Sequence, residues 1–320
     1  MSMQIDFSEA CTHTFSANEI RQYSECARKR YYSSRDHLAI RSTKPSGALI
    51  LGKRVHEMLE HYYMNGQTRL NELMNEGKPL TRELAEDALG DIEPFQLTEE
   101  QKAELGYDIS TFNCIHENCR VRIVDDLVKY EIIACEWEFR LTNWPVDDVM
   151  YHGQIDMIVR ERATNKIWFF EHKTSKDFRP EIYNRFDIQL HIYTKYGKIF
   201  ANMHDCLWGG MILNEFKKAK TSRGYAEHRM YYTYSDEEME EFTAWLYKKT
   251  AAAISAQNRH EPCNTYMTCK TCEYAPICLK LGYAAPKTRE EILEDESYVD
   301  SETGEQLYRY DPRDKEEDHE

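Results

Sequence analysis

A chain of 320 residues with 56 acidic and 41 basic side chains, a net charge of -15, can bury one sizeable core or two smaller ones, and its bulk charge by itself argues against a nucleic-acid partner. No stretch approaches twenty apolar residues, and the first thirty hold no apolar run ahead of a small-residue cleavage site; this excludes a membrane-spanning helix and predicts a soluble, cytoplasmic protein. Ten cysteines, several at two- to five-residue spacing, suit metal ligation better than a disulfide framework.

The charge is unevenly spread. Arg289 to Glu320 holds fourteen acidic and four basic residues, -10 of the -15, which leaves -5 on residues 1–288. Within that nearly balanced body, Arg28, Lys29, Arg30, Arg35, Arg41, Lys44, Lys53 and Arg54 crowd a segment that also carries Tyr31 and Tyr32. Such a mixture can track phosphates and stack bases, or it can be a solvated face.

Residues 16–35 predict a helix, with Ser16 and Glu19 as a capping box and Ile20, Tyr23, Ala27 and Tyr31 at helical spacing. A turn at 45–47 precedes a second helix from Gly52 to Met64, and residues 68–130 read as charged helices, with a capping box at Thr98 and Gln101. Residues 131–141, 149–160 and 166–173 are rich in aromatic and β-branched residues between turn-like breaks, which predicts a three-strand antiparallel meander. A helix from Asn184 to Phe200, strands over 206–213 and 228–234, and a helix from Asp236 to Gln257 follow. That order predicts an α/β domain with a mixed sheet. The acidic, aperiodic stretch 287–320 reads as a disordered tail, dispensable for chemistry, whose removal would tighten DNA binding at low salt.

Two carboxylates and an ammonium stand where the second and third strands end. Asp156 closes Gly153-Gln154-Ile155-Asp156, and Glu171 and Lys173 close the third strand on one face. In an antiparallel pair Asp156 and Glu171 can face each other, which outlines a divalent-metal site with Lys173 beside it and the His172 carbonyl as a further ligand. An E-x-K triplet alone is an ordinary pair of strand-end charges. Gln189 and Tyr193, four apart on the next helix, and His56, four residues after Gly52, add polar groups in a compatible order. Two other patterns mislead. Gly47 to Lys53 reads G-x-x-x-x-G-K, but Arg54 replaces the Ser/Thr of a P-loop; His56-Glu57 and His61 miss the zinc-protease spacing by one residue.

With these motifs in hand, the chain resembles the RecB-type branch of the PD-(D/E)xK nuclease superfamily from about Ser16 to Cys278. Gly52 to His56, Gly153 to Asp156, Glu171-x-Lys173 and Gln189-x-x-x-Tyr193 look like four motifs of that branch in order. Ile155 stands in place of the proline in the superfamily's name, and Glu171 where aspartate is commoner. The resemblance implies a restriction-endonuclease-like core in which His56, Asp156, Glu171 and the His172 carbonyl bind Mg²⁺ or Mn²⁺. It implies that Lys173 is catalytic and that Gln189 and Tyr193 organise the site.

Cys269-x2-Cys272-x5-Cys278, with Cys263 just upstream, is tight enough to hold a metal, and on spacing alone a zinc ribbon remains open. Cys26 occupies the place of the lone N-terminal cysteine in the iron-sulfur members of the branch, which resemble the AddB nuclease domain and the CRISPR-associated iron-sulfur exonucleases. The resemblance therefore implies a [4Fe-4S] cluster on Cys26, Cys269, Cys272 and Cys278. The resulting expectation is a nuclease domain over 1–286, with a helical insertion at about 65–130 and a cysteine-rich segment at 263–278, followed by the tail. It would hydrolyse DNA, by resemblance at single-stranded ends, with Arg28, Lys29, Arg30, Tyr31, Tyr32, Lys53 and Arg54 gripping the strand and a helicase or recombination protein as partner. Alternatives are a catalytically silent DNA-binding subunit, an endonuclease and an RNA-directed nuclease.

Overall fold

The computed structural model describes residues 11–34, 38–43, 47–255, 266–282, 284, 287–299 and 304–310. Its strands are β1 (His13–Ser16), β2 (Ile40–Ser42), β3 (Tyr130–Thr142), β4 (Val149–Glu161), β5 (Lys166–Ser175), β6 (Leu207–Lys217), β7 (Glu227–Tyr232) and β8 (Tyr308–Tyr310). The chain divides into two units. One comprises Ser46–Arg140 and Gly153–Glu240, the other Met1–Pro45, Leu141–His152 and Glu241–Glu320.

The predicted mixed sheet forms, in the order β1-β4-β5-β6-β7 with β3 beside β4. In the larger unit, β4 and β5 pair antiparallel from Met157 opposite Phe170 to Glu161 opposite Lys166, β5 and β6 run parallel, and β7 returns antiparallel to β6. A parallel neighbour needs a crossover, and the helix Ile188–Met203 supplies it. Strand periodicity then sends adjacent phenylalanines to opposite faces. Phe170, with Met157, Val159, Ile212 and Phe216, packs in one core with Leu51, Val55, Met58 and Leu59 of the helix Gly47–Asn75. Phe169 instead meets Tyr196, Phe200 and Trp208 at 6.2, 5.8 and 5.0 Å between ring centres. Gly197 permits that approach, since a Cβ there would lie 2.3 Å from the Trp208 ring.

One expectation changes in this unit, and another gains a role. The helix predicted from Gly52 to Met64 runs from Gly47 to Asn75, because buried Leu70 and Leu73 continue its apolar stripe. It swallows the G-x-x-x-x-G-K sequence, so no phosphate loop exists there. The charged stretch after it folds as helices Arg82–Asp91, Glu99–Leu105, Ile109–Asn118 and Arg120–Lys129, and Leu84, Leu89, Leu105, Ile115 and Leu127 share the sheet's own core. It therefore contributes to the main hydrophobic cluster.

In the smaller unit β1 runs parallel to the start of β4, with His13 opposite Val149 and Ser16 opposite His152. The capping box forms: Glu19 N–H donates to Ser16 Oγ at 3.2 Å, and Ser16 N–H to the Glu19 carboxylate at 2.8 Å. The single helix predicted over 16–35 is broken at Cys26, whose backbone is extended (φ -165°, ψ 115°), into Ala17–Glu25 and Ala27–Ser33.

The expectation of a disordered tail from residue 287 is corrected over 287–299 and 304–310. These residues form the helix Arg289–Leu293, capped by Thr288 and Glu291, a turn at Glu296–Tyr298, and β8, which pairs antiparallel with β2. Ile292, Tyr298 and Tyr308 are buried with Tyr32, Leu38, Ile40, Tyr274 and Ile277. A few apolar anchors at irregular spacing carry this packing, so no periodicity betrayed it. Residues 311–320 and Cys263 lie outside the described residues. Among the described residues no helix is long and apolar enough to cross a membrane.

Candidate active site

Asp156, Glu171, Lys173, Gln189, Tyr193, His56 and the His172 carbonyl are brought together in the larger unit. The fold of each segment explains its contribution. The β4–β5 pairing that ends at Met157 and Phe170 carries Asp156 to the His172 peptide, whose N–H donates to Asp156 Oδ2 at 2.5 Å. The His172 carbonyl accepts from His56 Nε2 at 3.1 Å, and His56 Nδ1 lies 3.5 Å from Asp156 Oδ1. Glu171, 2 % exposed, is held by the Lys173 ammonium and by Gln189 Nε2, which lies 3.0 Å from both of its oxygens.

Gln189 also donates to the Tyr193 hydroxyl at 2.8 Å, and Tyr193 donates to the Gln154 carbonyl at 2.6 Å. One turn of helix thus ties β5 to β4. Gly153 is needed beside that link, because a Cβ would stand 2.9 Å from the Phe139 ring and 3.3 Å from the Tyr193 hydroxyl.

The His172 side chain points into the core rather than the site. Its ring stacks on Tyr63 at 6.2 Å and 10° and meets Asn214 at 3.4 Å; Asn214 accepts from Arg229, which forks onto buried Asp126 at 2.6 and 2.9 Å. Burial, then the neighbouring His56, hold this imidazole well below its usual pKa, so it is neutral. Its peptide is what the site uses, and the buried chain of partners fixes it.

Sequence reading missed Glu136. It sits on β3 with φ 49°, a left-handed conformation rare for a side-chain-bearing residue, and its Oε1 lies 3.6 Å from His56 Nδ1. No periodic pattern signals such a position. His56, Glu136 and Asp156 offer donor atoms all within 4.8 Å of one another, a metal-holding arrangement.

The electrostatics favour a cation. Burial and then Glu171 push Asp156 up to about 7, against the pull of His56 and Lys173. Burial opposes protonation of His56, but Asp156, Glu136 and Glu171 outweigh it and raise its pKa to about 9. Lys173 is likewise raised, because Glu171 and Asp156 outweigh its desolvation. Three carboxylates share one small region with too little positive charge. Oxygen donors with one imidazole and no thiolate suit Mg²⁺ or Mn²⁺, so the residues present fit such an ion.

The expected nucleic-acid segment is largely corrected. Arg28 is 2 % exposed and donates to the carbonyls of Gly282 and Ala284 at 2.6 and 3.0 Å; Arg30 is buried over the Phe15 ring at 4.6 Å; Tyr32 is buried in the tyrosine layer. Arg54 is buried against Glu57 and Glu104, each at 2.7 Å. These groups answer internal carbonyls, carboxylates and rings. Lys53 is exposed, Lys29 pairs with Glu25 at 2.9 Å, and Tyr31 is half-buried beside Tyr32.

The four cysteines lie in the smaller unit. Cys26, Cys272 and Cys278 are close enough to influence one another: after burial, Cys26 contributes to the raised pKa of both others. Cys269 is joined to Cys272 by a turn, with Cys272 N–H donating to its carbonyl at 3.1 Å. Among the described residues the four sulfurs do not form a mutually close donor set like that of His56, Glu136 and Asp156.

The sequence model of the PD-(D/E)XK nuclease superfamily matches residues 14–279. Among solved structures the crystal structure of SSO0001 is similar, with 83% of this chain and 86% of that chain covered, 15% identity and a TM-score of 0.36. No curated protein matches.

Proposed function

The chain belongs to the PD-(D/E)XK nuclease superfamily, and from that premise we propose that it is a divalent-metal-dependent deoxyribonuclease of the RecB-type branch, acting at single-stranded ends. One observation carries this reading: Glu136 and Asp156 converge on His56 beside the Glu171–Lys173 and Gln189–Tyr193 pairs. His56, Glu136 and Asp156 would hold the ion, with Glu171 and the His172 carbonyl adjoining. A bound divalent ion supplies Lewis-acid polarisation of the phosphate and a lowered pKa for water.

The chain's own groups divide the remaining work. Lys173 keeps its charge at neutral pH, which suits an ammonium that offsets negative charge building on phosphorus and orients the incoming water; a general base would need the opposite shift. Gln189 holds the Glu171 carboxylate and Tyr193 holds Gln189, so the acidic end of β5 is set before substrate arrives. Cys26, Cys269, Cys272 and Cys278 would carry a [4Fe-4S] cluster in a structural role, a reading that rests on the resemblance of their spacing to the iron-sulfur members of the branch.

The test is anaerobic purification, iron analysis, and incubation with end-labelled single-stranded DNA, duplex DNA and RNA, with and without Mn²⁺. Mn²⁺-dependent loss of linear single-stranded DNA beside an intact closed circle is the expected result. Binding without cleavage would make the chain a silent DNA-binding subunit, equal attack on the circle would make it an endonuclease, and preference for RNA would replace the substrate.

A further inference from the structure

Twelve residues, 176–187, connect β5 to the helix Ile188–Met203. Both ends of this segment are anchored in the site just described: Lys173 Nζ and Gln189 Oε1, on either side of it, lie 3.3 Å apart. The segment therefore springs from the rim of the site. By chain length alone, the Cα of Phe186 is at most about 11 Å from that of Gln189.

The backbone of this segment is tied down. Tyr232 donates to the Glu181 carbonyl at 3.4 Å, Tyr234 to the Arg185 carbonyl at 3.2 Å, Asn184 is buried, and Arg185 is paired with Glu238. Three of its apolar side chains nevertheless face outward: Ile182 is 64%, Tyr183 71% and Phe186 74% exposed. A single exposed apolar residue is unremarkable, but three within five positions on a tethered segment form a patch. Two of the three are aromatic, and the segment also presents the exposed cations Lys176 and Arg179.

We propose that Tyr183 and Phe186 form a stacking platform for unpaired bases of the strand whose phosphodiester enters the site. This rests on the nuclease reading above and adds the element that would hold the flanking nucleotides. Aromatic faces accept any base, and neighbouring cations meet the phosphates between them. A tethered platform at the rim, a few residues from Gln189, is placed where the next nucleotides must pass. Unpaired rather than duplex nucleic acid is selected, because stacked bases in a duplex have no free face to offer.

The test uses the full chain with Ca²⁺ in place of Mn²⁺ and two fluorescent probes: an oligothymidylate, and the same strand with its bases replaced by abasic sites. Tyr183→Ala/Phe186→Ala should raise the Kd for oligothymidylate by about tenfold or more while leaving the abasic strand nearly unchanged, and Tyr183→Phe/Phe186→Trp should restore binding. Unchanged affinity for oligothymidylate would overturn the platform. So would an equal loss on both strands, which would report a backbone or folding effect, and circular dichroism melting separates those two. Unchanged binding together with a shift of the sedimenting species would show that a second copy of the chain covers the patch. If the wild-type protein binds neither strand, the nuclease reading fails and the platform with it; if it binds and the variant is indifferent, the platform alone fails.

Discussion

Around Asp156 the larger unit packs carboxylates, an imidazole and an ammonium where water is scarce, whereas around Cys278 the smaller unit packs tyrosines and isoleucines against half-buried thiols. The first arrangement works against the fold: Asp156 is pushed up to about 7 because burial and Glu171 oppose its charge. The second contributes to it, since Tyr32, Tyr274, Ile277, Ile292 and Tyr298 are all fully buried. Substitutions in the two regions should therefore separate, with chemistry lost in one and stability in the other.

The largest expected effect lies in the acidic site. Lys173→Ala or Asp156→Ala should lower Mn²⁺-dependent cleavage by about 10³-fold or more, because each removes charge at the reacting phosphate. Thermal unfolding of both should show no loss of stability relative to wild type. An Asp156→Ala protein that fails to fold would erase the contrast between the units.

Next comes the tyrosine layer. Tyr298→Ala removes a fully buried ring and should cost ~3 kcal/mol or more of stability, read by urea denaturation. Truncation after Pro286 removes Ile292, Tyr298 and Tyr308 together and should destabilise the protein further, the reverse of what an inert tail would do. A truncated chain with wild-type melting would show that this packing contributes little.

A smaller effect tests Glu136. Glu136→Gln should weaken Mn²⁺ binding about tenfold by calorimetric titration, with the melting temperature preserved. Unchanged affinity would return the ligand set to His56, Asp156 and Glu171.

The smallest effect is a pH dependence measured in EDTA. Folded Asp156 keeps its proton up to about 7, while the ordinary value is 3.8, so the native state binds more protons between those limits. The stability this contributes is complete below the ordinary value and is lost as pH rises through about 7. Asp156→Asn, which cannot ionise, should therefore raise the melting temperature more at pH 8 than at pH 5. An equal gain at both would mean that Asp156 ionises in the fold as it does in water.

How much was legible depends on the range of the signal. Period-two alternation placed Glu171 and Lys173 on one face of β5, and the four-residue spacing of Gln189 and Tyr193 placed both on one face of a helix; the strands, however, run on to Glu161 and Ser175, so Asp156, Glu171 and Lys173 lie within them rather than at the ends expected. These are local geometric rules, and the composition of residues 131–173 obeyed them. The Thr98–Gln101 and Ser16–Glu19 caps were readable for the same reason. Glu136 reaches His56 only because β3 turns through a left-handed residue there, and Arg28, Arg30 and Arg54 point inward only because particular carbonyls, a ring and two carboxylates wait for them. Ile292, Tyr298 and Tyr308 look like scattered apolar residues in an acidic stretch until the tyrosine layer receives them. The sequence by itself determined the main strands and helices between residues 130 and 255 and which motif residues share a face. Only the tertiary structure decided which charges are buried and what faces them, because burial depends on partners distant in the chain.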